Sequence, residues 1–272
     1  MICIRRQLNK DGTMGGIACL TMLLGIASVN EPPQPETRPA GSYLYQPAAC
    51  LDDKLRGTAT PYMIQPGDIC LAVGTHRASQ IVHKIFAGGL PNHSMIAFAT
   101  PEGQVSILEA GPNGVLIVRS REAIAHLSSY ECVGSPVWVR RRRRPLTPEQ
   151  SACLTKFCMA HEESPFAAFR VGMQATPFRS RMPLRTVWAG RPDLDKPKYF
   201  CSELVLNSLI AAGVIDGNPM RPTATYPSDL FYNESRNRMV NRSLRALACD
   251  WDLPARWTSN PDGSLCGETT GP

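Results

Sequence analysis

A cysteine opens the strongest helical pattern in the chain. In YFCSELVLNSL (199–209), Leu204, Val205, Ser208 and Leu209 follow Cys201 at helical spacing, which puts the thiol at a helix start and toward the inward stripe. The unpaired N–H groups of a first turn and the helix dipole favour an anion there. A nearby imidazolium can bring a thiol from about 8.5 into the ~3.5–7.5 range. The competing reading is a small packed hydrophobe, because cysteine is among the residues most often buried.

Two strand-like segments supply partners for such a thiol. HSMIAFA (93–99) and QVSILEA (104–110) alternate apolar residues and are separated by a TPEG turn. Alternation groups His93 with Met95 and Ala97, and Glu109 with Val105 and Ile107. A carboxylate in register with apolar neighbours is costly to bury alone. Glu109 therefore calls for a donor, and an imidazole on the adjoining strand can supply it. Thiol, imidazole and carboxylate together form a set suited to nucleophilic acyl transfer. His76 and His83 are rival bases, but neither has a carboxylate on an adjacent expected strand. Cys153, Cys158 and His161 fall in one expected helix without a second knuckle. Packing is favoured over zinc for them, and no metal or cofactor is expected.

The surrounding segments read as an α+β domain. QPGDICLAV (65–73) is a turn into a short strand, and RASQIVHKIFAGG (77–89) is a helix ended by glycines. GVLIVRS (114–120) and PVWVR (136–140) are further strands. LTPEQSACLTKFCMAHEE (146–163) begins with a capping box, Thr147 to Gln150, and Pro148 in the first turn. PFRSRMPLRTVWAGRPDLDKPKY (177–199) carries four prolines and reads as an irregular loop. Gly213 ends the helix begun at Cys201. Strands and helices grouped in this way suggest a central antiparallel sheet with packed helices.

Composition narrows the setting. The chain has 272 residues, 43% of them apolar, enough for one sizeable core. Its charge is +6, but Arg140–Arg144 supply five positive charges and residues 1–30 supply two more, leaving about −1 elsewhere. Nucleic acid is therefore not an expected partner. The basic start MICIRRQLNKDG precedes eighteen uncharged residues and a GIAS stretch. Residues 1–30 thus read as a signal peptide or a membrane anchor, and the chain as exported or membrane-anchored. Lipid attachment through Cys19 is a weaker alternative, and a start at Met14 would weaken the export reading. A Pro-rich linker is expected over 31–60, the catalytic domain over 61–235 and an extension over 236–272. Export permits disulfides, and Cys249 with Cys266 make a plausible staple.

The order GDI (67–69), NHSMIAF (92–98), ILEAGPNGV (107–115), FCSELV (200–205) and YPSDLF (226–231) resembles the circularly permuted branch of the NlpC-type papain-like hydrolases. These are the YiiX/YaeF-like amidases, relatives of the lecithin:retinol acyltransferase-like enzymes. The resemblance covers about residues 61–230 and has few anchors between Val118 and Lys198. It implies a papain-like fold in which Cys201 attacks a carbonyl, His93 carries the proton and Glu109 fixes the imidazole. The order His, Glu, Cys permutes the usual papain-like order, which is harmless because a triad is defined by geometry.

The expected activity is that of a cysteine hydrolase, amidase- or peptidase-like, on cell-envelope peptide or acyl-amide substrates. An acyltransferase or lipid hydrolase on the same triad, and a non-catalytic binding module, are the alternatives. Tyr62 and Tyr199 are candidates for a second oxyanion donor or a substrate contact. Arg179 and Arg181 would favour an acidic substrate if their loop borders the cleft. The run RRRRR (140–144) reads as a solvated basic turn, with an anionic envelope polymer or lipid surface as its functional alternative.

Overall fold

The computed structural model describes residues 41–47, 57–74, 89–111, 114–117, 123–167, 169–170, 182–235 and 237–261. Its strands are β1 (Tyr43–Pro47), β2 (Thr60–Pro61), β3 (Ile69–Ala72), β4 (His93–Ala99), β5 (Val105–Gly111), β6 (Gly114–Ile117), β7 (Val137–Arg140) and β8 (Ala255–Thr258). They form one sheet in the order β2-β1-β8-β7-β3-β4-β5-β6. Every pairing is antiparallel. The helices are α1 (Ala123–Cys132), α2 (Pro148–Ala160), α3 (Pro183–Ala189), α4 (Cys201–Ala211), α5 (Pro227–Tyr232) and α6 (Arg238–Asp250). The expected α+β class and central antiparallel sheet are therefore present. The expected helix over 77–89, apart from its closing Gly89, and the segment 1–30 lie outside the described residues. Among the described residues, no helix is long and apolar enough to cross a membrane.

Period-two alternation divides the sheet into two apolar faces. Ile69, Leu71, Ile96, Phe98, Leu108 and Trp138 pack against Leu154 and Phe157 of α2 and Leu204, Val205 and Leu209 of α4. Cys70, Ala72, Met95, Ala97, Ile107 and Val139 face the other way, with Ala123 and Leu127 of α1. The central strands are buried on both faces, which is why β3 and β7 contain no exposed residue. Thr147 caps α2 by the expected box: its hydroxyl accepts from Gln150 N, and its own N–H donates to Gln150 Oε1.

The entry to β3 depends on a buried carboxylate. Gly67 turns the chain at φ +93°, a conformation open to glycine and strained for other residues. Asp68 then enters the interior fully buried. Its Oδ2 accepts from Tyr62 Oη at 2.6 Å and Gln65 N at 2.9 Å, and its Oδ1 from Arg142 N at 2.8 Å. Burial raises its pKa, and the bond from Tyr62 is the largest influence opposing that rise. Trp251 closes the same corner by donating from Nε1 to Gly67 O at 2.9 Å.

The arginine run is a solvated turn at Arg141, Arg143 and Arg144 and also a clasp. Arg140 is wholly buried and donates to Asp252 O, Leu230 O and Asn233 Oδ1. Burial lowers its pKa to about 10. Arg141 and Arg143 grip the two carboxylate oxygens of Asp252 at 2.8 and 3.0 Å, and Arg144 grips Asp250 at 2.7 Å. The Arg142 guanidinium lies over the Trp251 ring. The run thus fastens β7 to the end of α6, with Arg141, Arg143 and Arg144 still partly in solvent.

Several sequence expectations change. β1 lies within the expected linker 31–60, and α6 and β8 lie within the expected extension 236–272. β1 and β8 join the sheet of the domain, because β8 pairs with β1 on one side and β7 on the other. Their short strands were hidden by proline-rich surroundings and by lack of alternation. The expected loop 177–199 contains α3, which starts on Pro183 in its first turn. Cys249 is a free, exposed thiol, so it is not stapled to Cys266, whereas Cys132 is disulfide-bonded.

Asp68→Ala would strip three donors of their acceptor at once. It is expected to cost about 2–4 kcal/mol of unfolding free energy, and Tyr62→Phe about 1 kcal/mol. Urea denaturation measures both, and a loss below about 0.5 kcal/mol for Asp68→Ala would show that the carboxylate does not tie this corner.

Candidate active site

The start of α4 is set by a buried charge cluster. Phe200, the residue before the helix, is extended at φ −108° and ψ 166°. Glu203, two residues after Cys201, is fully buried. Its Oε1 accepts from Arg170 Nη1 and Lys196 Nζ, each at 2.8 Å, and its Oε2 takes a long 3.5 Å contact from Phe200 N. Arg170 also donates to Lys198 O and lies over the Phe200 ring. The approach 196–200 is thereby tied to the helix that follows it, and Cys201 occupies the first helical position.

The register of β4 and β5 supplies the other two groups. Met95 stands opposite Glu109, so Glu109 is the diagonal same-face neighbour of His93. His93 Nε2 lies 3.0 Å from Glu109 Oε2. That leaves Nδ1 as the ring nitrogen not engaged by the carboxylate, and Cys201 is near enough to His93 for each to shift the other's pKa. His93 is the first residue of β4, so its ring lies at the end of that strand. Asn92 O is 4.0 Å from Sγ. Asn92 Oδ1 accepts from Gly74 N at 2.6 Å, which holds the residue before the histidine. Cys201 is 7% exposed.

The electrostatics favour a charged pair. Burial alone pushes the Cys201 thiol up, but the neighbouring His93 outweighs it and lowers the thiol below its ordinary value. Burial pushes His93 down, but its bonds to Cys201 and Glu109 and their charges raise it to about 10. Burial likewise opposes charge on Glu109, yet its histidine neighbours hold it well below the ordinary carboxylate range. Thiolate, imidazolium and carboxylate are mutually stabilising in this arrangement.

Two residues absent from the sequence expectations complete the site. Tyr130 Oη donates to Glu109 Oε2 at 2.8 Å, and its ring stacks on His93 with centroids 5.9 Å apart. His126 Nε2 lies 3.3 Å from the same carboxylate oxygen, off the line of a hydrogen bond. Both come from α1, whose sequence AIAHLSSYEC carries them four residues apart. That spacing on one helical face was the available signal.

The remaining candidates lie elsewhere or have other duties. Tyr62 holds Asp68, which enters the sheet beside Ala97, four residues or about 13 Å along β4 from His93. It is therefore not an oxyanion donor for Cys201. Tyr199 is fully buried, and its hydroxyl donates to Leu194 O at 2.9 Å and accepts from Lys196 N at 3.2 Å. Its ring packs on Phe157 and His161, so it serves the loop before α4 rather than a substrate. Cys158 is buried and Cys153 exposed, while His161 Nδ1 is 2.9 Å from Phe157 O. Among the described residues, no group of three or more His, Cys, Asp or Glu is arranged to hold a metal. Arg179, Arg181, His76 and His83 lie outside the described residues.

No family model matches the chain, and no curated protein matches it in sequence. Among solved structures, it is similar to the crystal structure of the metalloprotein yiiX from Escherichia coli O157:H7. The identity is 16%, over 59% of this chain and 69% of that one, with a TM-score of 0.39.

Proposed function

We propose that this chain is a papain-like cysteine hydrolase of the amidase or peptidase type, with Cys201 as nucleophile, His93 as proton carrier and Glu109 as the group that fixes the ring. The observation that supports this reading is Glu109 on His93 Nε2 at 3.0 Å, with Cys201 at the first position of a helix and close enough to His93 for the two to shift each other's pKa.

In the proposed reaction the Cys201 thiolate attacks an amide carbonyl carbon and pushes its π electrons onto oxygen. The backbone N–H of Cys201, in a turn whose N–H groups have no intrahelical acceptor, faces the developing oxyanion. Collapse of the tetrahedral adduct breaks the C–N bond, and the imidazolium proton passes to the departing amine. Water then attacks the thioester, giving its proton to the neutral His93, and the acid leaves as the thiol is restored. Glu109 keeps Nδ1 directed at sulfur throughout and stabilises the protonated ring. The substrate class remains that of the sequence reading, a peptide or acyl amide of the cell envelope, with export or membrane attachment through residues 1–30.

Trapping experiments test the chemistry. Incubation with a panel of peptide and acyl amides, followed by intact-mass analysis, is expected to show an acyl adduct that maps to Cys201. The adduct should vanish in Cys201→Ala. His93→Gln is expected to lower turnover by about 10²–10⁴-fold, and Glu109→Gln by up to about 10⁴-fold. Full turnover by Cys201→Ala would end the proposal.

Thiol alkylation tests the electrostatics. In the wild-type chain, iodoacetamide labelling of Cys201 should reach half-maximal rate below the ordinary thiol value of about 8.5. His93→Gln removes the stabilising charge and leaves the burial, so its midpoint should move above that value. Hydrolysis should fall again near pH 10, where the imidazolium loses its proton. A wild-type midpoint at or above 8.5 would contradict the ion pair.

A further inference from the structure

Helix α1 brings two polar rings against the acid of the site. Tyr130 touches two of its members at once, since its hydroxyl donates to Glu109 Oε2 at 2.8 Å and its ring stacks on His93 with an interplanar angle of 22°. His126, one turn earlier on α1, meets the Tyr130 ring edge-on, with centroids 5.6 Å apart and planes at 85°. Below these groups Ala123 and Leu127 seat the helix on the sheet with Met95 and Ala97. A residue needed only to fill space at this position would not require a hydroxyl. The phenol is largely desolvated, and burial together with the Glu109 charge raises its pKa, so it stays a neutral donor.

We propose that Tyr130 is a positioning residue of this site, fixing the acid through its hydroxyl and the plane of His93 through its ring, with His126 backing it from the same helix. The proposal rests on the triad reading above. Its physical content is twofold. First, Glu109 Oε2 is shared between His93 and Tyr130, which disperses the carboxylate charge and moderates its hold on the imidazolium. Second, the stacked ring limits rotation of the imidazole, so that Nδ1 keeps facing sulfur. Among the described residues, the titratable groups that face Glu109 are His93 from β4 and His126 and Tyr130 from α1, with Cys201 of α4 near His93; its register partner on β6 is Leu116.

Two substitutions separate these contributions. Tyr130→Phe keeps the ring and removes the donor, so Glu109 should bind the imidazolium more strongly. The alkaline midpoint of His93, followed by ring-proton NMR, is then expected to rise by about 0.5–1 unit. Tyr130→Leu removes the stacked wall and should lower Cys201 alkylation at pH 6.5 by about tenfold, with thermal melting used to verify that the variant is folded. An unchanged or lowered His93 midpoint in Tyr130→Phe overturns the charge-sharing role, and an unchanged alkylation rate in folded Tyr130→Leu overturns the stacking role. If wild-type Cys201 alkylates no faster than a free thiol, the triad reading fails and the positioning role falls with it. Fast wild-type alkylation with both variants unaltered removes Tyr130 alone.

Discussion

The bond between His93 Nε2 and Glu109 Oε2 is the constraint on which the site depends. A histidine ring has two nitrogens, and committing one to a carboxylate decides which is left for sulfur. Here the commitment is made in a nearly dry environment, with the His93 and Glu109 side chains only 14% and 11% exposed. Coulombic attraction is far less screened there than in solvent. The same desolvation that would neutralise an isolated carboxylate is outweighed because its donors are already in place. The thiol benefits at one remove: His93 lowers its pKa, and Glu109 favours the charged form of His93.

The fold supplies this arrangement by satisfying buried charges at three other points. Asp68 gathers the turn before β3, Glu203 gathers the approach to α4, and Arg140 gathers α5 and the segment after α6. Each is buried and each is hydrogen-bonded, as a desolvated charge must be if it is not to be ruinous. They fix where three elements begin or end, not how their middles pack. The apolar clusters fix the middles. The site lies where these two kinds of order meet, at the first residue of β4 and the first residue of α4.

The central part of the fold was legible because its signals are periodic and local. Alternation in residues 93–99 and 104–110 sets the faces of β4 and β5, and a two-residue periodicity places His93 and Glu109 together with little ambiguity. The box at Thr147 and the helix from Cys201 are equally local. Tyr62 and Tyr199 were misjudged because proximity in sequence to a glycine–aspartate turn or to the cysteine says nothing about where a hydroxyl points. Both phenols answer to backbone and carboxylate groups in their own loops. Tyr130 and His126 were missed for the opposite reason. Their partner, Glu109, is about twenty residues away on another element, and α1 has only a weak amphipathic pattern to announce it. The clasp made by the arginine run has no local signal, because its acidic partners lie more than a hundred residues later in the chain.

The pairing of β1 with β8 has an outcome for anyone trimming the protein. A fragment cut to the stretch carrying the family-like motifs, 61–235, would discard both of these strands. It would leave β7 as a bare edge, with Trp138 and its neighbours offering unsatisfied backbone groups to any passing chain. Such a fragment would keep every residue named in the reaction and still be prone to aggregate, because its sheet would have lost its border.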